Sequence, residues 1–326
     1  MSFELSEDNF SGFGFCHGYA VCVVICYGAQ PCHFAGCNRG GRGKVERKLQ
    51  KNTGNVEINC KNESFLCYIS GIEGAKVLSE KSVRYSDTNL IAVVNPFVHQ
   101  ILVVNTPRDT LLTVPEACLE ESEGSSVPEK LDAMPLHGKK ASKLALEQLY
   151  GVDIDCCVQV NYRALKKVVD SLGGVDVYSE CDFISDWGPE FVEGVNSVDG
   201  KQAQAFVRER HHLPDGDLQR GRNQQYMLQA ILEKVTSMQS VTTYEKLLRI
   251  VKKYMRTDLS VHTMESLISW QLQDSEKWTI QFETITGTPS QAITDSSEGE
   301  AIYAFLPDEK SVKKMSKKII RHKQKK

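Results

Sequence analysis

From Asn55 onward the chain alternates short apolar runs with longer amphipathic stretches. That alternation restricts it to a sheet covered by helices on both faces. Phe65–Ser70 (FLCYIS), Asn89–Val94 and Gln100–Asn105 (QILVVN) are too short for helices and are bounded by turn residues, so they read as buried strands, the last two joined through Asn95-Pro96. Val158–Val160, Val175–Tyr178 and Trp278–Thr284 extend the strand set. Ala141–Tyr150 is helical by the spacing of Leu146, Leu149 and Tyr150 and stops at Gly151; Tyr162–Leu172 is helical through Leu165, Val168, Val169 and Leu172 and closes at Gly173-Gly174. Further helices are expected at Val198–Val207, at 220–237 with Met227, Ile231 and Val235 on one face, at 243–254, at 261–271 and from about Asp308. Residues 116–130 are polar and acidic and read as a surface loop. The expected fold class is α/β: a central, mostly buried β-sheet with helices on both faces, forming a single domain over 56–306. With 41% hydrophobic residues among 326, the chain can fill such a core, which excludes wholesale disorder.

Charge divides the chain. Its net charge is −3, yet nine Lys or Arg and no acid fall in 310–326, leaving an acidic body twelve charges negative. No general basic surplus marks a nucleic-acid binder. The basic C-terminal segment, 307–326, reads either as a contact for an anionic membrane or polymer or as a last helix fraying into solvent. Residues 1–55 differ from the rest. Gly12–Ala29 holds only one strongly polar side chain, His17, and would rise about 27 Å as a helix, the short edge of a membrane span. Acids precede it and Arg39, Arg42, Lys44, Arg47 and Lys48 follow, so 1–55 is read as an atypical membrane anchor or a mis-framed stretch. Five of the eleven cysteines lie before residue 38, and no CxxC pair provides zinc-ligand spacing; most read as small buried apolar residues.

Several familiar sites are missing: there is no GxSxG and no HExxH, and Asn38–Lys44 lacks the first Gly and the final Ser or Thr of a phosphate loop. His211-His212 is a metal pair by residue type but not by spacing, since adjacent side chains diverge. The prominent feature is arginine. Arg108 and Asp109 end an apolar strand, at the edge where α/β sheets bind ligands. Arg208 and Arg210 follow in Phe206-Val-Arg-Glu-Arg, and Arg220 and Arg222 open a long helix. Guanidinium forks grip phosphate oxygens in pairs, and a helix start adds backbone donors. Four converging arginines suit a pyrophosphate; surface ion pairs with Glu209, Asp215 and Asp217 are the competing reading. Glu73 lies just after the first strand and Asp87 just before the second, sharing a rim if the strands are antiparallel, and carboxylates beside phosphate point to Mg²⁺.

Taken together, Ser70-Gly-Ile-Glu, Ser86-Asp-Thr, Asn105-Thr-Pro-Arg-Asp-Thr, Leu172-Gly-Gly-Val-Asp-Val, Phe206-Val-Arg-Glu-Arg and Asp217-Leu-Gln-Arg-Gly-Arg-Asn-Gln-Gln resemble, in order and spacing, the LytR–CpsA–Psr family over about 60–305. The resemblance implies a bacterial, membrane-anchored phosphotransferase with an extracytoplasmic catalytic domain. Such an enzyme moves an anionic glycopolymer (teichoic acid or capsular polysaccharide) from a polyprenyl-pyrophosphate carrier to peptidoglycan, with Mg²⁺. It assigns catalysis to Asp87, Arg108, Arg208, Arg210 and Arg220. Pyrophosphate binding falls to Arg108, Asp109, Arg208, Arg210, Arg220, Arg222 and Gln224, and the metal to Glu73 and Asp87. A groove for the polyprenyl tail is expected among the apolar strands and the helices at 141–150 and 220–237. The chain departs from the family pattern at Glu73, where Asp is usual, at Tyr85, where Arg is usual, and in its N-terminus. Two alternatives use the same residues: a polyprenyl-phosphate sensor without catalysis, and a pyrophosphate hydrolase.

Overall fold

The structure is a computed structural model that describes residues 56–59, 63–72, 85–119, 127–237, 250, 254–260, 262–263, 266 and 278–325. The segment 1–55 and Glu73 lie outside the described residues, as do nearly all of 243–254 and 261–271.

In chain order the strands are β1 (Phe65–Ile72), β2 (Ser86–Asn95), β3 (Gln100–Asn105), β4 (Leu111–Thr113), β5 (Pro128–Lys130), β6 (Cys156–Asn161), β7 (Val175–Ser179), β8 (Phe183–Ile184), β9 (Glu190–Phe191), β10 (Gly194–Val198), β11 (Arg256–Thr257), β12 (Thr279–Thr284), β13 (Gly287–Ile293) and β14 (Ala301–Pro307). The helices are α1 (Ala141–Tyr150), α2 (Tyr162–Ser171), α3 (Gly200–Arg208), α4 (Asp217–Ser237) and α5 (Glu309–Gln324). Six strands form the central sheet in the order β11-β6-β1-β2-β3-β12. It is mixed: β1 runs parallel to β6 and β3 to β12, while β1–β2, β2–β3 and β6–β11 are antiparallel.

Because side chains alternate along a strand, each apolar run supplies both faces. Phe65, Cys67 and Ile69 of β1, with Leu90, Ala92 and Val94 of β2, pack against Val168 and Val169 of α2, Phe206 of α3 and Met227 and Ile231 of α4. Leu66, Tyr68, Ile91 and Val93 face the other way, onto Leu146 and Tyr150 of α1 and Met315 and Ile319 of α5. Two helical layers therefore cover the sheet, as the alternation predicts. Cys67 and Cys156 are wholly buried and fill this core as small apolar side chains.

Local chemistry sets the helix ends. Gly151 caps α1 at φ 62°, a left-handed position that costs glycine little. Asn161 caps α2 by accepting from Ala164 N, and Asp199 with Gln202 forms a capping box on α3. The long helix begins at Asp217, three residues before the expected start, because the turn ending at Gly216 already donates Arg220 N to Gly216 O.

Two surface expectations are corrected. Residues 128–130 belong to β5, not to a loop, and Glu129 is fully buried because Ser296 donates to it through both its backbone N–H and its hydroxyl. The basic C-terminal segment does not fray. Asp308 caps α5, Met315, Ile319 and His322 are buried, and Lys323 pairs with Asp155 at 3.0 Å. The charges lie along one side of a helix whose other side completes the core. No helix among the described residues is long and apolar enough to cross a membrane.

Candidate active site

The antiparallel register of β1 and β2, with Ile72 opposite Ser86, turns the start of β2 into a rim of the sheet. Beneath it lies a buried polar layer in which the Ser70 and Ser86 hydroxyls are 2.9 Å apart, while Tyr68 Oη and Ser86 Oγ both donate to Asn89 Oδ1. Three backbone segments are stitched together at this rim. Ser86 N donates to Asp132 O, Asp132 N to Arg108 O, and Thr106 N to Asn89 O. Asp87, Arg108 and Asp132, distant in the chain, are thereby brought together.

Arg108 is the hub. Its guanidinium donates to Asp87 Oδ1 at 2.7 Å, and its Nε lies 3.5 Å from both Asp109 and Asp217. Lys130 holds Asp109 from below at 2.8 Å and stands 3.8 Å from Asp132. Burial alone would push the Arg108 guanidinium down, but the carboxylates of Asp217, Asp109, Asp87 and Asp132 overcome it and raise its pKa. Burial raises Asp132 to about 6, against the pull of Lys130. It also raises Asp217 despite Arg220 and Arg108.

α4 reaches this cluster because residue 221 is glycine. A Cβ there would sit 2.7 Å from Asn105 Nδ2 at the end of β3, so a larger residue would force that amide to shift. Within the helix, Arg220 reaches back one turn to Asp217 at 2.5 Å. Arg108 Nε is buried with no hydrogen-bond partner, 3.5 Å from Asp109 and Asp217, while Asp217 Oδ1 is taken by Arg220. An unfulfilled buried N–H at the hub is unusual in a folded interior and is placed where an anionic ligand would satisfy it.

Above the hub opens a cavity of about 300 Å³. Asp87, Arg108 and Arg220 form one wall, while Arg208, Arg210, His211, Asp186, Trp187 and Tyr162 form the other. Four guanidiniums against two carboxylates make it an anion site. Arg208 and Arg210 share a side because the chain leaves α3 at Glu209 in extended conformation (φ −61°, ψ 139°), where residues two apart align. Glu209 points inward and is fully buried, accepting backbone N–H bonds from Asp186, Arg210, His211 and His212. Burial would raise its carboxyl, but those donors hold it below the usual carboxylate range. Arg208 is sandwiched by its rings, 4.4 Å from Trp187 and 5.5 Å from Tyr162.

Asp87, Arg108, Arg208, Arg210 and Arg220 thus meet at one cavity. Asp109 sits beneath it, buried against Lys130. Gln224 lines the narrow cleft with Arg108 and Arg220, but its amide donates to Val207 O. Arg222 does not join them: it is held by Glu180 at 2.8 Å and Asp215 at 2.6 Å. The reason is helical geometry, since residues two apart on a helix face different ways. The ion-pair reading describes Arg222 fully, and it applies in part to Arg220, which pairs with Asp217 while still lining the cavity. His211 and His212 both lie near Asp186, at 2.7 and 3.5 Å.

Sequence reasoning did not find Lys130, Asp132, Trp187 or Tyr162. Only the fold brings them in; the one signal was Asp186-Trp-Gly-Pro189, a turn carrying an aromatic residue.

An apolar groove starts beside the cavity, and Tyr162 belongs to both. Its walls are Ile69, Leu90 and Val158 of the sheet, Leu165 and Val168 of α2, and Met227, Leu228 and Ile231 of α4. The expected contribution of 141–150 is absent, because α1 lies on the opposite face of the sheet.

Carboxylates are the candidate metal donors at the hub. Asp87 and Asp217 offer hard carboxylate oxygens, the type Mg²⁺ takes, with Arg108 already on Asp87 Oδ1 at 2.7 Å and Arg220 on Asp217 Oδ1 at 2.5 Å. Two other groups of suitable type exist among the described residues, Asp186–Glu209–His212 and Glu129–His137–Asp295. Both contain imidazole, and in both the buried glutamate already accepts several N–H bonds, which fits Mg²⁺ poorly.

Residues 38–321 match the LytR_cpsA_psr family model. The chain belongs to the LytR–CpsA–Psr family. Over 213 residues it is 33% identical to a polyisoprenyl-teichoic acid–peptidoglycan teichoic acid transferase, TagU, of Enterococcus faecalis, covering 65% of this chain and 67% of the relative. It is 26% identical over 253 residues to biofilm regulatory protein A of Streptococcus mutans, covering 73% of this chain and 62% of that protein. The fold of this LytR–CpsA–Psr domain matches the crystal structure of B. subtilis TagV with a TM-score of 0.64 at 23% identity, over 82% of this chain and 99% of that one.

Proposed function

We propose that the chain transfers an anionic glycopolymer, a teichoic acid or capsular polysaccharide, from a polyprenyl-pyrophosphate carrier to peptidoglycan. One observation carries the reading: four arginines and Asp87 line a single cavity that adjoins an apolar groove. A diphosphate with a hydrocarbon tail on one side and a sugar on the other matches that sequence of environments. The name of the Enterococcus relative, a teichoic acid transferase, supports the same class of reaction.

In this mechanism Arg208, Arg210 and Arg220 hold the diphosphate oxygens, and Arg108 neutralises charge as it develops on the departing polyprenyl phosphate. A peptidoglycan hydroxyl attacks the sugar-side phosphorus; the bond to the bridging oxygen breaks, polyprenyl phosphate leaves, and a proton is released. Asp87 and Glu73 would hold Mg²⁺, whose charge would offset that of the diphosphate. The groove between α2 and α4 takes the first isoprene units. In this reading the domain works at the membrane surface, outside the cytoplasm, with 1–55 as its attachment.

Purified chain, a polyprenyl-pyrophosphate-linked oligosaccharide and peptidoglycan glycan strands test the proposal. Mg²⁺-dependent formation of a glycan–phosphate–peptidoglycan adduct, lost with EDTA, is expected. Release of polyprenyl phosphate without adduct would make the chain a hydrolase; binding without release would make it a sensor.

A further inference from the structure

Trp187 is 42% exposed at the cavity wall, yet its position is tightly determined. It tips the β8–β9 hairpin, where Trp187 N donates to Ser185 Oγ at 3.0 Å, Gly188 N to Ser185 O at 2.8 Å, and Asp186 N to buried Glu209 at 2.7 Å. The hairpin is bolted to α3 by aromatic packing, with Phe183 and Phe191 stacked at 4.8 Å and Phe191 edge-on to Phe206 at 5.2 Å. α3 ends in Arg208, whose guanidinium lies over the indole at 4.4 Å. Scattered exposed aromatics need no explanation. An indole fixed this firmly at the mouth of an anion site, with its remaining surface open, is a built platform.

Beside the indole, Asp186 accepts from His211 Nδ1 at 2.7 Å, and both side chains are accessible. An apolar plane flanked by a carboxylate and an imidazole matches one ligand chemistry: a pyranose, with a C–H face to stack and hydroxyls at its edge. Building on the diphosphate reading, we infer that the Asp186–Trp187 hairpin tip binds a sugar ring next to the phosphates, stacked on Trp187 with hydroxyls directed to Asp186 and His211. The ring comes either from the donor's phosphate-linked sugar or from the acceptor glycan.

The test is titration calorimetry of the full chain with three probes: farnesyl diphosphate, farnesyl diphosphate carrying N-acetylglucosamine, and a soluble muramic-acid-containing tetrasaccharide. Trp187→Ala is expected to weaken at least one sugar probe about tenfold more than it weakens farnesyl diphosphate, which loses only the support the indole gives Arg208, and Trp187→Phe by less. Loss confined to the second probe identifies the donor sugar, and loss confined to the third identifies the acceptor. The inference is overturned if Trp187→Ala binds both sugar probes as the unaltered chain does. It is equally overturned if farnesyl diphosphate weakens as much as they do, or if neither sugar probe binds the unaltered chain. Unaltered chain that binds the tetrasaccharide through Trp187 but not farnesyl diphosphate leaves the sugar site standing and removes the diphosphate reading instead.

Discussion

Arg108 concentrates the opposing demands of the site, because it is both the counter-charge that lets Asp87, Asp109 and Asp217 share a small volume and the cation nearest the reacting phosphate. Arg108→Ala should lower polyprenyl phosphate release by about 10³-fold or more, as loss of an arginine finger does. The variant should still fold, but with a lower Tm, since three acids then repel; circular dichroism melts check both points. Asp132 carries a separate signature. Its native pKa of about 6 lies above the ordinary carboxylate value, so the folded state binds the extra proton, and stability is lost as pH rises from about 4 through 6. Asp132→Asn escapes that loss. Its stability relative to the unaltered chain should climb by about 2 kcal/mol between pH 4 and pH 7, read from urea midpoints. A flat difference across that range would show that Asp132 is ionised at no cost. Glu209 makes the third residue-scale prediction. Glu209→Gln turns an amide toward N–H groups that need an acceptor, and should cost about 1–3 kcal/mol of stability. It should also raise KM for the diphosphate donor more than it lowers kcat, because Arg208 and Arg210 lose their support but remain present.

Among the elements, what was legible in the sequence follows from how local each signal is. α1 matches its expected limits because apolar spacing and Gly151 lie within the helix itself, and β3 matches because a short apolar run between turns has few other uses. β13 was not legible, because GTPSQAI carries no apolar run and is defined by its pairing with β14; β14, AIYAFLP, does carry one, and sequence reasoning missed it. Arg222 shows the same limit from the opposite side. Its residue type and position suggest phosphate binding, but its direction depends on the phase of α4, and that phase brings it to Glu180. The groove between α2 and α4 could not be told from core by composition, since Leu165, Val168 and Ile231 would suit either. Its role is open to test at this scale. Leu165→Trp should obstruct it and raise KM about tenfold for a long polyprenyl donor, with little change for a donor of one or two isoprene units. Equal effects on both donors would separate the groove from the lipid.

At the scale of the whole molecule, the sheet divides two tasks. The face carrying α2, α3 and α4 presents the groove and three of the cavity arginines, while α1 and α5 pack their apolar sides against the other face. α5 therefore belongs to the folded unit despite its charge. Ile319→Ala should cost about 2–5 kcal/mol in urea denaturation while leaving KM for the donor unchanged. The helix is also fastened at its far end, where buried Asn95 donates its amide to His322 O at 2.6 Å and Lys325 O at 3.0 Å. Asn95 closes β2 and Asp87 lies near its beginning, eight steps or about 26 Å away along the strand. Whatever follows Gln324, native or fused, thus departs from the end of the molecule remote from the arginines. An affinity handle or surface tether attached there would leave the donor and acceptor approaches unobstructed.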